Sequence, residues 1–272
     1  MDTRKVQKVG GSTYTVSVPK QWADEHQLEA GATVRLYTHR DGSLVVRDTE
    51  TDGGHLAETR VDVTGTGADA VERAMAAVYA AGFERTTLVA EGGVTDEQRR
   101  AVRRTARRLA GVQILEESET TITVGHVLDA RDVSVRQSVV QLQFVALVTH
   151  RAATAAVTGG APGEEVSDRS GEVRRLTGLV TRHFNRALTD LREVDDLDVD
   201  RTGLFDYYRT AREFERVADE AATLLTVADR HDTVIDEALA GEVETAAADA
   251  RRVVEDAAAA AVGDGGTGQA HA

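Results

Sequence analysis

The sequence predicts an α+β protein with several domains: a β-rich head, a small α/β segment and a C-terminal helical bundle. Polar and apolar side chains alternate over residues 13–18, a period-two pattern typical of a half-buried strand. Residues 55–128 predict the element order β-α-β-α-β-β, which is typical of an α/β layer. From residue 132 onward, apolar residues recur at helical spacing and no strand pattern is seen.

Composition restricts the class of protein. The chain has 272 residues, enough for one to three domains, and lacks cysteine, which excludes disulfides and thiolate metal sites. No apolar run reaches the length of a membrane span and no signal-peptide pattern opens the chain, so we expect a cytoplasmic protein without membrane insertion. The sequence shows no nucleophile–base arrangement and no nucleotide-binding loop, so we do not expect an enzyme.

The charge is unevenly distributed. The formal net charge is −14, yet residues 1–50 carry seven basic and seven acidic side chains and are neutral as a group. All three lysines, Lys5, Lys8 and Lys20, lie in the first twenty residues. An acidic protein repels nucleic acid, but a neutral head with clustered lysines could still contact DNA locally. The acidic, arginine-rich composition indicates a halophilic protein, with a GC-rich genome as the alternative explanation.

The head, residues 1–48, is predicted as a compact β-rich unit. Pro19 fits the first turn of a short helix that stops near Gly31, and two further strands flank a hairpin turn at Asp41 and Gly42. Trp22 and Tyr14 are expected to be core residues rather than platforms for stacked bases. A unit of this size is too small to close a core by itself, so we expect two copies to intertwine.

The remaining chain is predicted as three further segments. A small α/β domain covers residues 55–128 after a polar linker over residues 49–54. Helices are expected from about residue 132, over about 164–191 and 203–229, and from about 233, with an acidic loop over 195–200 and a surface or boundary position for His183. The bundle therefore covers residues 132–261, and composition predicts a disordered tail over 262–272.

One stretch of the head resembles a known family. Residues 8–36, KVGGSTYTVSVPKQWADEHQLEAGATVRL, resemble the swapped-hairpin DNA-binding domains of the AbrB/SpoVT/MazE type, and the resemblance extends over residues 3–48. It implies a swapped-hairpin β-barrel formed by a homodimer that binds double-stranded DNA. Carried over by position, it implies DNA contacts at Arg4, Lys5, Lys8, Ser12, Tyr14 and Lys20. The family often has arginine where this chain has Ser12 and Thr13, so we expect contacts that position the protein rather than read bases.

Two acidic pairs in the bundle suggest a metal site. Asp168 and Glu172 are four residues apart in one predicted helix, and Glu215 and Asp219 have the same spacing in the next. Residues at this spacing share a helix face, so two such pairs could present four carboxylates to a hard or borderline cation. The alternative is that Arg175, Arg212 or Arg216 simply pairs with these acids.

Two bundle segments resemble phosphate-uptake regulators of the PhoU type. They are Phe205 to Leu225, FDYYRTAREFERVADEAATLL, and Glu165 to Leu188, EVSDRSGEVRRLTGLVTRHFNRAL, and the resemblance covers residues 132–230. It implies a PhoU-like helical bundle in which the acidic pairs can hold iron or zinc. This chain departs from the family pattern at Glu172, where aspartate is usual, and at Glu220, where histidine is frequent.

These features predict a DNA-binding transcriptional regulator of phosphate uptake or homeostasis. The head would bind DNA as a homodimer, and the bundle would act as a sensor or a docking module. The alternative is a PhoU-type accessory protein that regulates a phosphate transporter ATPase subunit or a sensor kinase by protein contact, without binding DNA. A third hypothesis, an antitoxin-like module, is disfavoured by the long C-terminal part.

Overall fold

The chain divides into two compact units, Met1–Thr51 and Asp52–Ala272. The computed structural model describes residues 3–39, 42–48, 54–159, 166–230 and 235–263. Several predicted features lie outside the described residues: the turn residue Asp41, linker residues 49–53, the helix start near 233 and the tail from 264. None of the described helices is both long and apolar enough to cross a membrane.

The N-terminal unit consists of two small hairpins and one short helix. β1 (Gln7–Val9) pairs antiparallel with β2 (Thr13–Thr15), and β3 (Arg35–Thr38) pairs antiparallel with β4 (Leu44–Arg47). The helix α1 (Lys20–Glu25) lies between them in sequence, and Pro19 has extended geometry at its N-cap rather than in its first turn. The hairpins are separate two-stranded sheets, so the predicted barrel is not formed within one chain and stays a prediction.

The N-terminal unit has almost no core of its own. Among its described residues only His39 is buried, whereas Tyr14 is 69% exposed and Leu36 is 61% exposed. Trp22 is half-buried. The expectation that Tyr14 and Trp22 are core residues is therefore not met within a single chain. Isolated hairpins of this size are at best marginally stable in water, so this unit needs a further surface to cover its apolar side chains.

The second unit begins with a four-stranded sheet. Its strands are β5 (Glu58–Asp62), β6 (Arg85–Val89), β7 (Val112–Glu117) and β8 (Thr121–His126), in the spatial order β5-β6-β8-β7. β5 and β6 are parallel, because a helix connects them, and the other neighbours are antiparallel. The predicted β-α-β-α-β-β order is confirmed.

Two helices cover this sheet. α2 (Ala68–Ala81) ends at Gly82, which adopts the left-handed conformation that favours glycine. α3 (Asp96–Arg108) begins with a reciprocal capping box between Thr95 and Gln98. Side chains from both helices and from the sheet form one core, which includes Val71, Met75, Leu88, Ala101, Val102, Ile122 and Val124.

The rest of the unit is helical. The helices are α4 (Val135–Val157), α5 (Val166–Ala187), α6 (Leu191–Asp196), α7 (Arg201–Arg230) and α8 (Glu237–Gly263). A second core joins them, with buried side chains that include Val139, Leu142, Val173, Val180, Leu204, Tyr207, Phe214 and Ala258. The apolar spacing that predicted the helices therefore marks the buried face.

One prediction for this region is wrong in part. The acidic stretch 195–200 was expected to be a loop; residues 197–200 do connect two helices, but residues 195 and 196 belong to α6, which begins after Asp190. The side chain of Asp190 accepts a hydrogen bond from the backbone N–H of Arg192, and Leu191 and Val194 are buried. The cap and the buried side chains stabilise this short helix despite its acidic surface.

The sheet and the helices are joined through the end of α2. Three side chains of α5 donate hydrogen bonds to backbone carbonyl groups there: Arg182 to Tyr79 at 3.0 Å, Asn185 to Ala80 at 2.7 Å and Arg186 to Gly82 at 2.9 Å. Carbonyl groups at a helix C-terminus often lack intrahelical donors, so these contacts supply donors at this end, although the Tyr79 carbonyl also accepts from the backbone N–H of Gly82 at 3.0 Å. The domain boundary predicted between residues 128 and 132 lies inside this unit, and independent folding of the two segments stays a prediction.

Candidate nucleic-acid interface and a buried charge cluster

The residues predicted to contact DNA lie on the exposed surface of the N-terminal unit. All six side chains are exposed: Arg4, Lys5, Lys8, Ser12, Tyr14 and Lys20. Lys8 and Tyr14 are opposite each other in the hairpin register, so they lie on the same face of the hairpin. Ser12 lies in the turn between the strands, and Lys20 is the first residue of α1. The structure therefore brings Lys8 and Tyr14 together and leaves Lys20 in a separate element.

The lysines of this unit are available for an external partner. Lys5, Lys8 and Lys20 form no ion pair or hydrogen bond with any residue in the described ranges. Arg4 donates to the carbonyl oxygen of Thr3 at 3.3 Å. Exposed ammonium groups without an internal acid are suited to contact phosphate oxygens, which position a protein on DNA without reading its sequence.

Two of the four predicted metal ligands have other partners. Glu172 accepts a hydrogen bond from Gln141 at 2.6 Å, and Glu215 forms an ion pair with Arg212 on its own helix. Asp219 is exposed, and the side chain of Asp168 lies outside the described part of the chain. The two acids of the second pair, Glu215 and Asp219, lie four residues apart on α7, so they share a face of that helix as the spacing predicts.

The described residues show no assembled iron or zinc site. Within the described ranges, no group of three or more His, Asp or Glu side chains is arranged to hold a metal ion. The pKa of Glu215 is raised, because burial and the negative charge of Asp219 outweigh the positive charges of Arg212 and Arg174. Two guanidinium groups beside this carboxylate oppose a further cation. The four-carboxylate site, which includes Asp168, stays a prediction.

A buried charge cluster that sequence reasoning missed lies where β8, α5 and α6 meet. It consists of His126, Arg182, His183, Arg186 and Glu193, and it lines a cleft of about 390 Å³. His183 Nδ1 lies 2.5 Å from Glu193 Oε1, and Arg186 Nε donates to Glu193 Oε2 at 2.9 Å. His183 and Arg182 are each 1% exposed, so the prediction of a surface or boundary position for His183 is wrong.

Burial controls the charge state of the buried charge cluster. Burial lowers the pKa of His126 to about 3, and the positive charge of Arg182 lowers it further in the same direction. Burial also lowers the pKa of Arg182 to about 10. Burial alone would raise the pKa of Glu193, but hydrogen bonds from His183 and Arg186 outweigh it and lower the pKa. Near neutral pH the cluster therefore contains a neutral His126, an ionised Glu193 and two charged arginines.

A signal for the burial of His183 was present in the sequence. His183 follows the buried Val180 by three residues and precedes Ala187 by four, so it falls on the apolar stripe of α5. A polar residue on such a stripe must find a partner inside the protein. The partner, Glu193, lies ten residues further on, in the helix that the sequence did not predict.

Comparison with known proteins yields one match, in the N-terminal unit. Residues 7–51 match the family described as antidote-toxin recognition MazE, bacterial antitoxin. The N-terminal unit carries a MazE-like domain. Domains of the MazE/AbrB kind indicate a DNA-binding or antitoxin-type regulator, and the predicted N-terminal domain type is supported to that extent. No curated protein and no solved structure matches the chain.

Two more detailed predictions are not tested by this family match. It begins at residue 7, so Arg4 and Lys5 lie outside it. It does not extend to the helical segments, so the resemblance of residues 132–230 to phosphate-uptake regulators stays a prediction.

Proposed function

We propose that the protein is a DNA-binding transcriptional regulator that acts as a homodimer through its MazE-like domain. The observation that carries the proposal is the uncovered apolar surface of that domain, together with its family match. The exposed apolar side chains are Val6, Val9, Tyr14, Val16, Val18, Leu36 and Leu44. Burying a side chain of this kind contributes about 1.5–3 kcal/mol, so an intertwined second copy would supply the core that one chain lacks.

DNA binding would use the lysines that have no internal partner. In a two-fold dimer, Lys5 and Lys8 would each be present twice, and Tyr14 would lie beside Lys8 on the same hairpin face. The electrostatic part of such binding depends on salt, because each neutralised phosphate releases counterions. With a net charge of −14, the molecule as a whole would repel DNA, so the local position of the lysines decides whether it binds.

The helical part of the second unit would act as a sensor or as a docking module for another protein. The proposed process is phosphate uptake or homeostasis, and its support is the resemblance of Phe205–Leu225 and Glu165–Leu188 to phosphate-uptake regulators. If the resemblance holds without DNA binding, the protein would instead be an accessory protein for a phosphate transporter ATPase subunit or a sensor kinase.

A second candidate function is toxin neutralisation. The observation that favours it is the family description, which names antidote–toxin recognition and covers residues 7–51. In that case the exposed apolar side chains of the N-terminal unit would be covered in part by a toxin. The two candidates differ in whether purified protein binds DNA by itself.

A mobility-shift titration at several salt concentrations tests the proposal. The wild type is compared with Lys5→Ala/Lys8→Ala, and with Arg100→Ala/Arg107→Ala as a control that removes the same charge from exposed positions of α3. We expect binding by the wild type and the control. The lysine variant should bind more weakly, with the slope of log K against log salt reduced by about 2 to 4, because up to four phosphate contacts per dimer are lost. Absence of DNA binding by the wild type at low salt would refute the regulator proposal and favour the two protein-binding alternatives.

A further inference from the structure

The second unit contains two apolar cores that share no side chain. One core belongs to the sheet with α2 and α3, and the other belongs to the helices that follow the sheet. The boundary where α2 and α3 face α5 and α7 is called the junction below, and it contains a cleft of about 790 Å³. Two parts of a protein can move relative to each other unless the interface between them is large and apolar.

Two buried threonines face each other's helices across this cleft. Thr105 of α3 is 7% exposed and Thr177 of α5 is 2% exposed, and both line the cleft. Each Oγ1 atom is enclosed by protein and has no hydrogen-bond partner among the described residues. A buried hydroxyl group of this kind destabilises the arrangement that encloses it, because it has lost water and gained no other partner.

The same deficit extends along the junction to the buried charge cluster. His126 Nε2, Arg182 Nε and His183 Nε2 are also buried without a hydrogen-bond partner in the described ranges. Arg182 and His183 use their other nitrogen atoms, which bond to the Tyr79 carbonyl and to Glu193. Water that entered the junction would supply the missing partners. The closed junction is therefore less favourable than its buried area alone suggests.

Buried threonines of the bundle do not share this deficit. Thr149 of α4 is 1% exposed and donates from Oγ1 to the backbone carbonyl of Val145 at 2.8 Å. Thr154 is 6% exposed and donates in the same way to His150 at 2.9 Å. A helical threonine can thus pair its hydroxyl group within its own helix. Thr105 and Thr177 do not, so the weakness belongs to the junction rather than to buried threonines in general.

Hydrogen bonds join the two sides of the junction at one end only. Arg182, Asn185 and Arg186 of α5 donate to the carbonyl groups at the end of α2. Within the described residues, no hydrogen bond or ion pair joins α2 or α3 to α7, or to the part of α5 that precedes Arg182. The C-terminal ends of α2 and α5 are therefore held together, whereas the cleft end is not.

We propose that the junction is a hinge, which opens to water around Thr105 and Thr177 while Arg182, Asn185 and Arg186 keep the ends of α2 and α5 joined. Each apolar core lies wholly on one side of the junction, so both cores stay intact when it opens. Hinge opening of this kind couples the state of one part of a protein to the other. The inference concerns the second unit alone and does not depend on DNA binding.

Thiol labelling of single-cysteine variants tests the hinge, because the natural chain has no cysteine. Thr177→Cys places a thiol in the junction, and Val173→Cys places one in the bundle core on the same helix; both native side chains are 2% exposed. The labelling rate with an aromatic disulfide reagent, without denaturant, measures how often each thiol becomes exposed. Urea unfolding of the same variant gives the rate that global unfolding alone would allow. We expect Thr177→Cys to exceed that rate at least about tenfold, and Val173→Cys to match it.

A thiol on the opposite wall distinguishes hinge opening from local unfolding of α5. Thr105→Cys should give about the same opening constant as Thr177→Cys, because one motion exposes both walls, and unequal constants would contradict a single hinge. The inference is also overturned if Thr177→Cys reacts no faster than global unfolding allows, or if Val173→Cys reacts equally fast.

Valine variants test whether the hydroxyl group of Thr177 is unpaired in solution. Thr177→Val should leave the urea midpoint unchanged or raise it, because the lost hydroxyl group has no partner, whereas Thr149→Val should lower it. Equal losses for the two variants would show that the Thr177 hydroxyl group is satisfied in the closed protein and would remove the basis of the hinge.

Discussion

Arg186 of α5 donates from Nη1 to the carbonyl oxygen of Gly82 at 2.9 Å, directly after the last turn of α2. The same guanidinium donates from Nε to Glu193 of α6, also at 2.9 Å. One side chain therefore holds the C-terminal end of α2 against two helices that follow about one hundred residues later. The partial negative charge of a helix C-terminus makes a cation favourable at this position.

Replacing Arg186 with methionine should destabilise the second unit by about 3 kcal/mol, because it leaves the buried Glu193 without its guanidinium partner. Urea unfolding followed by far-ultraviolet circular dichroism measures the effect, since the helices of this unit dominate the signal. Arg192→Met is the control, because Arg192 is largely exposed, and it should change stability by less than about 0.5 kcal/mol. Equal effects of the two substitutions would contradict the role given to Arg186.

Gly82→Ala should lower the free energy of unfolding more than the same substitution at a glycine whose Cβ would contact no other atom. Gly82 has a φ of 103°, and a Cβ there would lie 2.5 Å from Cγ of Arg186, whose guanidinium is fixed by Glu193. Gly65 has a φ of 65° and no atom within 4 Å of its Cβ position, so Gly65→Ala carries only the backbone strain. We expect a loss of about 1 kcal/mol for Gly65→Ala and about 2–3 kcal/mol for Gly82→Ala in thermal or urea unfolding. Equal losses would mean that Arg186 can move aside freely.

The stability of the second unit should fall as the pH drops from about 6.5 toward 3. Burial lowers the pKa of His126 in the folded protein to about 3, so below the ordinary pKa of histidine the unfolded chain binds a proton that the folded chain does not. The contribution of the neutral ring is therefore complete above pH 6.5 and is lost progressively below it.

A histidine variant isolates this contribution from the acids that titrate in the same range. His126→Gln should flatten the dependence of unfolding free energy on pH between 6 and 4, by at most about 1.4 kcal/mol per pH unit and by less where solvent screens the ring. His55→Gln, at an exposed position, should leave the slope as in the wild type. The prediction is wrong if the His126 variant retains the full wild-type slope.

An aspartate at position 36 should separate the proposed dimer. Leu36 is 61% exposed in one chain, so Leu36→Asp costs a monomer little but places a charge on the surface that a second copy would cover. Light scattering should give the mass of a dimer for the wild type and of a monomer for the variant. Leu115→Asp is the control, because Leu115 is an exposed leucine of the second unit and should leave the dimer intact. A monomeric wild type would contradict the intertwined arrangement.

The local order of elements was predictable where the sequence carries its own boundary signals. α2 occupies Ala68–Ala81 as predicted, because an amphipathic run is closed by a glycine that takes the left-handed conformation. The capping residue Thr95 likewise marks the start of α3. The β-rich head was recognisable from its motif, and the family match supports that domain type.

Long-range pairing was not predictable, because its determinants lie far apart in sequence. The acidic stretch 195–200 was interpreted as a loop and α6 was not predicted, because the burial of α6 depends on neighbours that only the fold supplies. His183 and Arg182 were not recognised as buried because their partners come from α6 and from the end of α2.

The way α5 binds the end of α2 decides how this protein can be dissected. A truncation after residue 128 would remove three side-chain donors to carbonyl groups at the end of α2. It would also open the sheet-covering helices to water along the face that α5 occupies. A cut near residue 52 instead follows the division between the two compact units. In domain-exchange experiments the MazE-like head is therefore the segment to graft or replace. The rest of the chain is best kept together as one unit.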